Sequence, residues 1–468
     1  MEKGTSTGTG SPEINQPLPV HTGDLESNRA STLRARVRTT LTIREEGESG
    51  RRGIHPIPFM RIVFQSSSWA SRIVNVLWPV VPVAIAVRYA VPDQNLVIFI
   101  LAYLAMIPCA NLLGFAGNEL ARKVPHVAGV LTETTLGSLT EVILFIVLIT
   151  RNNDGHVDYI QVIKAAILGS VLATMLLCLG LCFIAGGFKR HEQNFSEAVS
   201  EAGSGLLLTA GLGLAIPTVF KHSLTERLAE VDLQSKAVDI SRSTAILLMV
   251  AYLIFIYFQT QTHHGIYDAI FVGESANGKH HKNNMKHRLT FTEVVIALAA
   301  SIALVAIISI ILVDKIQFLV EDRHVSDAFV GLILVPLGEK AAEHLTAIDE
   351  AYNNQMNFAL SHVLGATLQT ALFNGPLVVI IGWGLGKPMG LDFEIFDMVV
   401  LLLAIITVGN FLRDQKSNYL EGSLCVIVYV AIAVAALYYP NPVHGPAAAA
   451  ETGAASNVTT VDVEHHRF

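Results

Sequence analysis

The sequence predicts an all-α polytopic membrane protein, and its composition, hydropathy and segment spacing lead to that fold class. Of the 468 residues, 51% are hydrophobic and only 15% are charged, and the mean hydropathy is +0.49. A helix that crosses a bilayer needs roughly 20 apolar residues, and about eleven such segments lie between residues 69 and 439. A soluble domain of this size cannot bury so large an apolar share.

The N-terminal part of the chain is polar. Residues 1–68 are rich in Gly, Ser, Thr and Arg, which predicts a disordered tail. The arginines precede the first apolar segment, so the positive-inside bias predicts that this tail is cytosolic. The first span is predicted at residues 69–90 with Pro79 and Pro82 in its middle, because membrane helices tolerate proline.

The remaining apolar segments form two blocks of five. They lie at 94–117, 127–150, 159–187, 197–220 and 239–260, and then at 291–313, 326–348, 356–384, 394–412 and 418–439. The predicted domains are therefore 69–260, the first helix with the first five-helix block, and 291–439, the second block. Residues 261–290 are predicted to be a His-rich cytosolic linker, and residues 440–468 a C-terminal tail on the luminal side.

The two blocks are related in sequence. Gly129 precedes Glu141 by as many residues as Gly331 precedes Glu343, and LGSVLATML at 168–176 parallels LGATLQTAL at 364–372. Because each block has five spans, the second enters the membrane from the side opposite to the first. This arrangement is typical of inverted-repeat transporters.

Glu141 and Glu343 occupy matching positions inside apolar segments. A charge at the bilayer centre costs on the order of 3 kcal/mol, so such residues usually face a polar cavity. Paired carboxylates suit a hard divalent cation, and the same carboxylates can bind protons. Competition between cation and protons for one alternately exposed site predicts antiport, with Glu141 and Glu343 as ligands of both the metal ion and the protons.

Three further polar residues surround Glu343 in sequence. Glu339 lies one helical turn before Glu343 on the same face, and Lys340 lies three residues before it, close enough to neutralise it. Lys340 is either an internal counter-ion that cations or protons displace, or a residue that has abolished binding. His344 is a candidate proton relay.

Small and neutral polar residues near the two glutamates are predicted to support the site. They can supply neutral oxygen atoms and allow close helix approach. They are Gly137, Ser138, Thr174, Gln369 and Thr370. Glu133 lies two helical turns before Glu141 on the same face, and is either a part of the ion pathway or a charge at a helix end.

Other function classes find little support. The sequence has no phosphate-binding loop, nucleophile elbow or HExxH motif, so we do not expect an enzyme or a bound cofactor. The net charge of −7 is spread over loops and tails, which disfavours nucleic-acid binding. The expected partners are inorganic cations, protons and the lipid bilayer, and a homo-oligomer remains open.

In its span plan, in AAEH at 341–344, and in the LGS and LGA helices, the sequence resembles the CAX cation/proton exchangers of the calcium/cation antiporter superfamily. The resemblance covers residues 68–439. It implies one helix outside two inverted five-helix repeats, a vacuolar or other acidic-organelle membrane, and Glu141 and Glu343 as the central glutamates. Ser138 and Lys340 replace asparagines of the family pattern, and Glu339 replaces a glycine.

The sequence thus predicts an antiporter that moves a cytosolic divalent cation, Ca²⁺ or Mn²⁺, into an acidic store in exchange for protons. Two alternatives stay open. One is an exchanger of monovalent or other cations, with Lys340 as an internal counter-ion. The other is a membrane sensor or regulator that does not transport, built on an exchanger scaffold.

Overall fold

A computed structural model describes residues 53–66, 69–124, 129, 132, 135–151, 158–225, 227, 229–262 and 288–440. These ranges are mainly helical. The helices are α1 Pro56–Gln65, α2 Trp69–Asn75, α3 Val80–Ala90, α4 Asn95–Ala121, α5 Leu139–Arg151, α6 Tyr159–Gly187, α7 Glu197–Ser223, α8 Glu230–Tyr257, α9 Phe291–Val313, α10 Ile316–Glu321, α11 Val335–Tyr352, α12 Met356–Gly384, α13 Ile395–Phe411 and α14 Tyr419–Leu437. A two-residue antiparallel pair joins β1 Gln193–Asn194 to β2 Lys416–Ser417.

The helix lengths agree with a membrane fold. In the described part of the chain, eight helical segments are long and apolar enough to cross a bilayer, with α2 and α3 together forming one of them and α9 and α10 another. Helix α13 is a shorter apolar helix. The predicted class, an all-α polytopic membrane protein, is confirmed. The count of about eleven spans stays a prediction. Helix α5, with 13 residues, is shorter than a typical span, and α11 is less apolar because it carries several charged residues.

The N-terminal region differs from the sequence prediction in one way. Residues 56–65, predicted as part of a disordered tail, form helix α1. The Asn75 side chain donates hydrogen bonds of 3.0 Å to the carbonyls of Val63 and Phe64, which fixes α1 against α2. The predicted first span, 69–90, agrees with the candidate span Trp69–Ala90, in which turns at 76–79 separate α2 from α3. Proline explains that break, since Pro79 immediately precedes α3 and fits at a helix start.

Two long central helices share an irregularity. Helix α6 contains the π-helical segment Ala173–Cys178, and α12 contains the π-helical segment Thr370–Asn374. A third π-helical segment, Val330–Leu334, leads into α11. Segments of this kind are rare and often occur at functional sites. Helices α6 and α12 are largely buried, whereas α14 exposes most of its surface.

Close backbone contact joins α6 to the segment that precedes α11. A Cβ atom added at Gly169 would overlap the carbonyl group of Leu332, and one added at Gly331 would lie 2.7 Å from the Cβ atom of Ala165. Neither position therefore has room for a side chain larger than the hydrogen of glycine. This packing holds α11 beside the most buried helix of the fold.

Polar contacts tie helix ends together at both ends of the bundle. At one end, Asp314 forms salt bridges of 3.2 Å with Arg88 and with Arg151. At the opposite end, Lys123 Nζ donates a 2.7 Å hydrogen bond to the carbonyl oxygen of Leu289. Helices α4 and α9 therefore run antiparallel, because the start of each lies at the end of the other.

A buried charge triad lies at the end of the bundle that carries Asp314. Asp392, in the loop between α12 and α13, contacts Lys164 and Lys221 at 2.7 Å each. Burial by itself raises the pKa of Asp392, but the two ammonium groups outweigh burial and hold that pKa below its ordinary value. The triad ties α6 and α7 to the loop before α13.

Candidate ion site between α5, α11 and α12

Glu141 lies at the centre of the buried polar cluster. It is in the first turn of α5, where the positive end of the helix dipole favours a carboxylate, and it is 1% exposed. Two groups from α12 donate to its Oε2 atom: Asn374 Nδ2 at 2.6 Å and Thr370 Oγ1 at 3.1 Å. The contacts join residues more than two hundred positions apart in sequence, so the fold builds this shell from both halves of the chain.

Lys340 places its ammonium group between the two glutamates that the sequence singled out. Its Nζ atom lies 3.2 Å from Glu141 Oε2 and 3.6 Å from Glu343 Oε2. The Glu141 side chain is 1% exposed and the Glu343 side chain 27%, so the cluster runs from the core toward a more open side. The position between two carboxylates is therefore one where the protein holds a positive charge.

Glu339 is buried beside this pair and has no hydrogen-bond partner in the described part of the chain. It is 4% exposed, and both of its carboxylate oxygens are unpartnered there. Glu141 Oε1 and Asn374 Oδ1 are unpartnered as well. The Tyr103 ring lies against Gly338, the neighbour of Glu339, 2.8 Å from where a Cβ atom of that glycine would be. Burying polar atoms without hydrogen-bond partners costs free energy, so a ligand that contacts these oxygens would stabilise the site.

The predicted supporting residues lie in the same region. Gln369 Nε2 donates a 2.7 Å hydrogen bond to Ser138 Oγ, which links α12 to the turn before α5. A Cβ atom added at Gly137 would lie 3.9 Å from Glu343 Oε1, so the backbone of this turn faces the second glutamate. His344 Nε2 lies 3.3 Å from Thr174 Oγ1, a hydroxyl that also donates to a backbone carbonyl of α6.

The structure thus brings together every predicted site residue that it describes, and Glu133 lies outside the described residues. As they stand, no three His, Cys, Asp or Glu side chains among the described residues converge closely enough to hold a metal ion. Lys340 lies between Glu141 and Glu343. A cation at this position has to displace the ammonium group or bind beside it.

Sequence reasoning missed Asn374, which makes the 2.6 Å hydrogen bond to Glu141. Its signal was present, since Asn374 follows Thr370 by four residues and so shares a helix face with it. Tyr103 was missed because an aromatic residue in an apolar span gives no sequence signal of a polar neighbour. Only the approach of α4 to α11 places it beside Gly338.

The fold and this cluster define a class: a polytopic α-helical membrane protein with acidic and basic side chains buried between its central helices. The chain belongs to the sodium/calcium exchanger protein family, whose model matches residues 94–261 and 293–438. The two matched ranges are separated by a stretch that nearly coincides with the predicted linker.

Individual relatives agree with this family. The vacuolar calcium ion transporter of Schizosaccharomyces pombe is 30% identical over 352 residues, or 74% of this chain and 80% of that protein. Vacuolar cation/proton exchanger 2 of Arabidopsis thaliana is 30% identical over 370 residues, or 79% of this chain and 81% of that protein. The solved structure of native YfkE is 25% identical, has a TM-score of 0.63, and is matched over 81% of this chain and 100% of its own. The resemblance to cation/proton exchangers is confirmed.

Proposed function

We propose that this protein is a secondary antiporter that exchanges a divalent cation, Ca²⁺ or Mn²⁺, for protons. Glu141 and Glu343 are the shared cation and proton ligands. The observation that carries the proposal is the ammonium group of Lys340, held 3.2 Å and 3.6 Å from these two carboxylates. The pair stabilises a positive charge inside the membrane domain, and a transported cation would bind to the same two carboxylates.

The neighbouring groups suit a hard cation. Glu141 is surrounded by amide and hydroxyl groups from α12, and Ca²⁺ is bound in proteins by carboxylate, amide carbonyl, hydroxyl and water oxygens. When the carboxylates take up protons they lose their charge and release the cation. His344, next to Glu343 and 3.3 Å from Thr174 Oγ1, is positioned to pass protons along this path.

Alternating access follows from the proposed inverted repeats, 69–260 with its extra first helix and 291–439. The π-helical segments in α6 and α12 support this relation, because each lies midway along a long central helix and carries a supporting residue, Thr174 or Thr370. Glu141 comes from the first repeat and its amide and hydroxyl partners from the second. Rocking of one repeat against the other would then open the site to one side at a time.

We propose a vacuolar or other acidic-store membrane as the location, with the N-terminus in the cytosol and cation moved into the store. The vacuolar names of the fungal and plant relatives support this location. The arginines before the first span support the orientation.

The test is cation-driven proton movement in proteoliposomes with an imposed pH gradient. Added Ca²⁺ should dissipate the gradient with the wild-type protein, and Glu141→Gln and Glu343→Gln should abolish the response. Glu350→Gln is the matched control, because Glu350 lies on the same helix but pairs with His362 at 3.7 Å. Wild-type flux in both site variants would refute the assignment of these ligands. Cation binding without any proton movement would instead indicate a sensor.

Lys340 favours one second candidate, exchange of monovalent cations. If its charge permanently replaces part of a divalent cation, the site has room for only one further positive charge. Na⁺ or K⁺ would then dissipate the gradient better than Ca²⁺ does, and Lys340→Asn would increase Ca²⁺ transport. The same liposomes decide this point when the cations are compared one by one.

A further inference from the structure

Glu339 and Lys340 are adjacent residues of opposite charge, and both are buried, at 4% and 3% exposure. Lys340 contacts Glu141 and Glu343. Those are the ion pairs of Lys340 within 4.0 Å among the described residues, so Glu339 is not the direct partner of its neighbour. The Glu339 carboxylate lies within electrostatic range of Glu141, Lys340 and Glu343 all the same. When it is ionised, it adds a negative charge to the cluster that no direct contact compensates.

The charges of the cluster are therefore unbalanced. Three carboxylates, those of Glu141, Glu339 and Glu343, face one ammonium group, which leaves a formal charge of −2 when all are ionised. Without Glu339 and Lys340 the two remaining glutamates would carry the same charge. Buried charge without a partner is strongly unfavourable, so the cluster needs two positive charges from outside, which one divalent cation or two protons supply.

Unpartnered oxygens show where these charges can bind. Both carboxylate oxygens of Glu339, Oε1 of Glu141 and Oδ1 of Asn374 are buried and have no hydrogen-bond partner among the described residues. Asn374 and Glu141 are in direct contact through their other atoms. Two carboxylates and an amide carbonyl are the ligand types of a hard divalent cation, which completes its shell with water.

From these observations we propose that Glu339 is a ligand of the transported divalent cation, together with Oε1 of Glu141 and Oδ1 of Asn374. The cation binds beside Lys340, whose ammonium group stays with Oε2 of Glu141 and Oε2 of Glu343. Oε1 of Glu343 remains the contact of the cation with the second glutamate. Glu339 thereby offsets the charge of Lys340, and the site keeps the capacity for one divalent cation or two protons. This inference rests on the proposed divalent cation/proton exchange, and it makes Glu339 and Lys340 a matched pair that determines the charge of the site.

A double-mutant cycle that neutralises each charge in turn tests the pairing. Glu339→Gln leaves a site charge of −1, Lys340→Gln leaves −3, and the double variant restores −2 with Glu141 and Glu343 alone. We expect Glu339→Gln to weaken the apparent Ca²⁺ affinity by about tenfold or more, since even indirect ligand contacts contribute that much. Lys340→Gln should also impair exchange, because excess negative charge retains the cation. The double variant should exchange better than either single variant.

Glu350→Gln on the same helix is the control, and elution of each variant as a monodisperse peak in detergent shows that it is folded. Wild-type affinity in Glu339→Gln would overturn the ligand assignment. A double variant no better than Glu339→Gln alone would overturn the charge compensation. Increased Ca²⁺ exchange in Lys340→Gln alone would do so too, since Lys340 would then simply occupy the site.

A binding measurement separates this inference from the proposed function. Ca²⁺ and Mn²⁺ should each raise the Tm of the purified wild-type protein, and Glu339→Gln should reduce that shift. If the wild-type protein shows this shift but moves no protons, the proposed antiport is wrong while Glu339 remains a cation ligand. If neither cation shifts the Tm of the wild-type protein, the proposed site itself is wrong.

Discussion

Replacing Asn374 by alanine removes the amide that holds the buried carboxylate of Glu141. The lost contact is a 2.6 Å hydrogen bond from Nδ2 to Glu141 Oε2, made by a residue that is 0% exposed. A hydrogen bond to a charged group contributes about 1.5 to 3 kcal/mol, and each 1.4 kcal/mol changes an equilibrium constant about tenfold. We therefore expect Asn374→Ala to weaken the apparent Ca²⁺ affinity about 10- to 150-fold.

The assay is the initial rate of Ca²⁺-driven proton release from acid-loaded proteoliposomes, measured over a range of Ca²⁺ concentrations. The prediction concerns the Ca²⁺ concentration at half-maximal rate, because Glu141 loses the amide that positions its carboxylate. Asn353→Ala is the matched control. Its amide also donates to an acidic residue, Asp349, but at an exposed position after α11. An unchanged half-maximal concentration in a folded Asn374→Ala protein would refute the role of this amide.

Three further predictions concern the scaffold. Gly169→Ala should lower the Tm, because its Cβ atom would overlap the Leu332 carbonyl and overpacking costs about 1 to 3 kcal/mol. Gly365→Ala is the control and should melt near the wild-type temperature, because the added Cβ atom would meet no neighbouring helix within 4 Å among the described residues. Asp392→Asn should destabilise the protein by about 3 kcal/mol or more, because it leaves the buried Lys164 without its carboxylate, and unchanged thermal unfolding would contradict this. The same carboxyl predicts a pH dependence: its pKa is lowered from 3.8, so its stabilisation is complete above pH 3.8 and disappears as the pH falls through the lower folded value. The Tm difference between wild type and Asp392→Asn should therefore persist at pH 5 and shrink only in strong acid; a difference that already vanishes at pH 5 would contradict the ion pair.

Most of the helices could be predicted from the sequence, because the tendency of an apolar segment to span a bilayer depends on local composition. Helices α6 and α12 agree with the predicted spans 159–187 and 356–384 at both ends. Helix α1 could not be predicted in this way. It is held by contacts to α2, including the two hydrogen bonds from Asn75, and these depend on residues outside its own segment.

The candidate site was predictable where a charged residue interrupts an apolar run. Glu141, Glu339, Lys340 and Glu343 were found for that reason, because charge inside a membrane helix is costly enough to signal a polar environment. Asn374 carries no charge, so it stood out less from the apolar residues around it. Its role became evident only from the 2.6 Å contact with a glutamate on another helix.

The sequence by itself determined that this chain is a helical membrane protein and singled out Glu141 and Glu343 as candidate ion ligands. Both properties follow from local hydropathy and from the cost of placing charge in lipid. The tertiary structure decided where the ammonium group of Lys340 lies, and that the oxygens of Glu339 have no partner among the described residues. Which of these charges are paired depends on the distances between α5, α11 and α12, and only the packing of those helices fixes these distances.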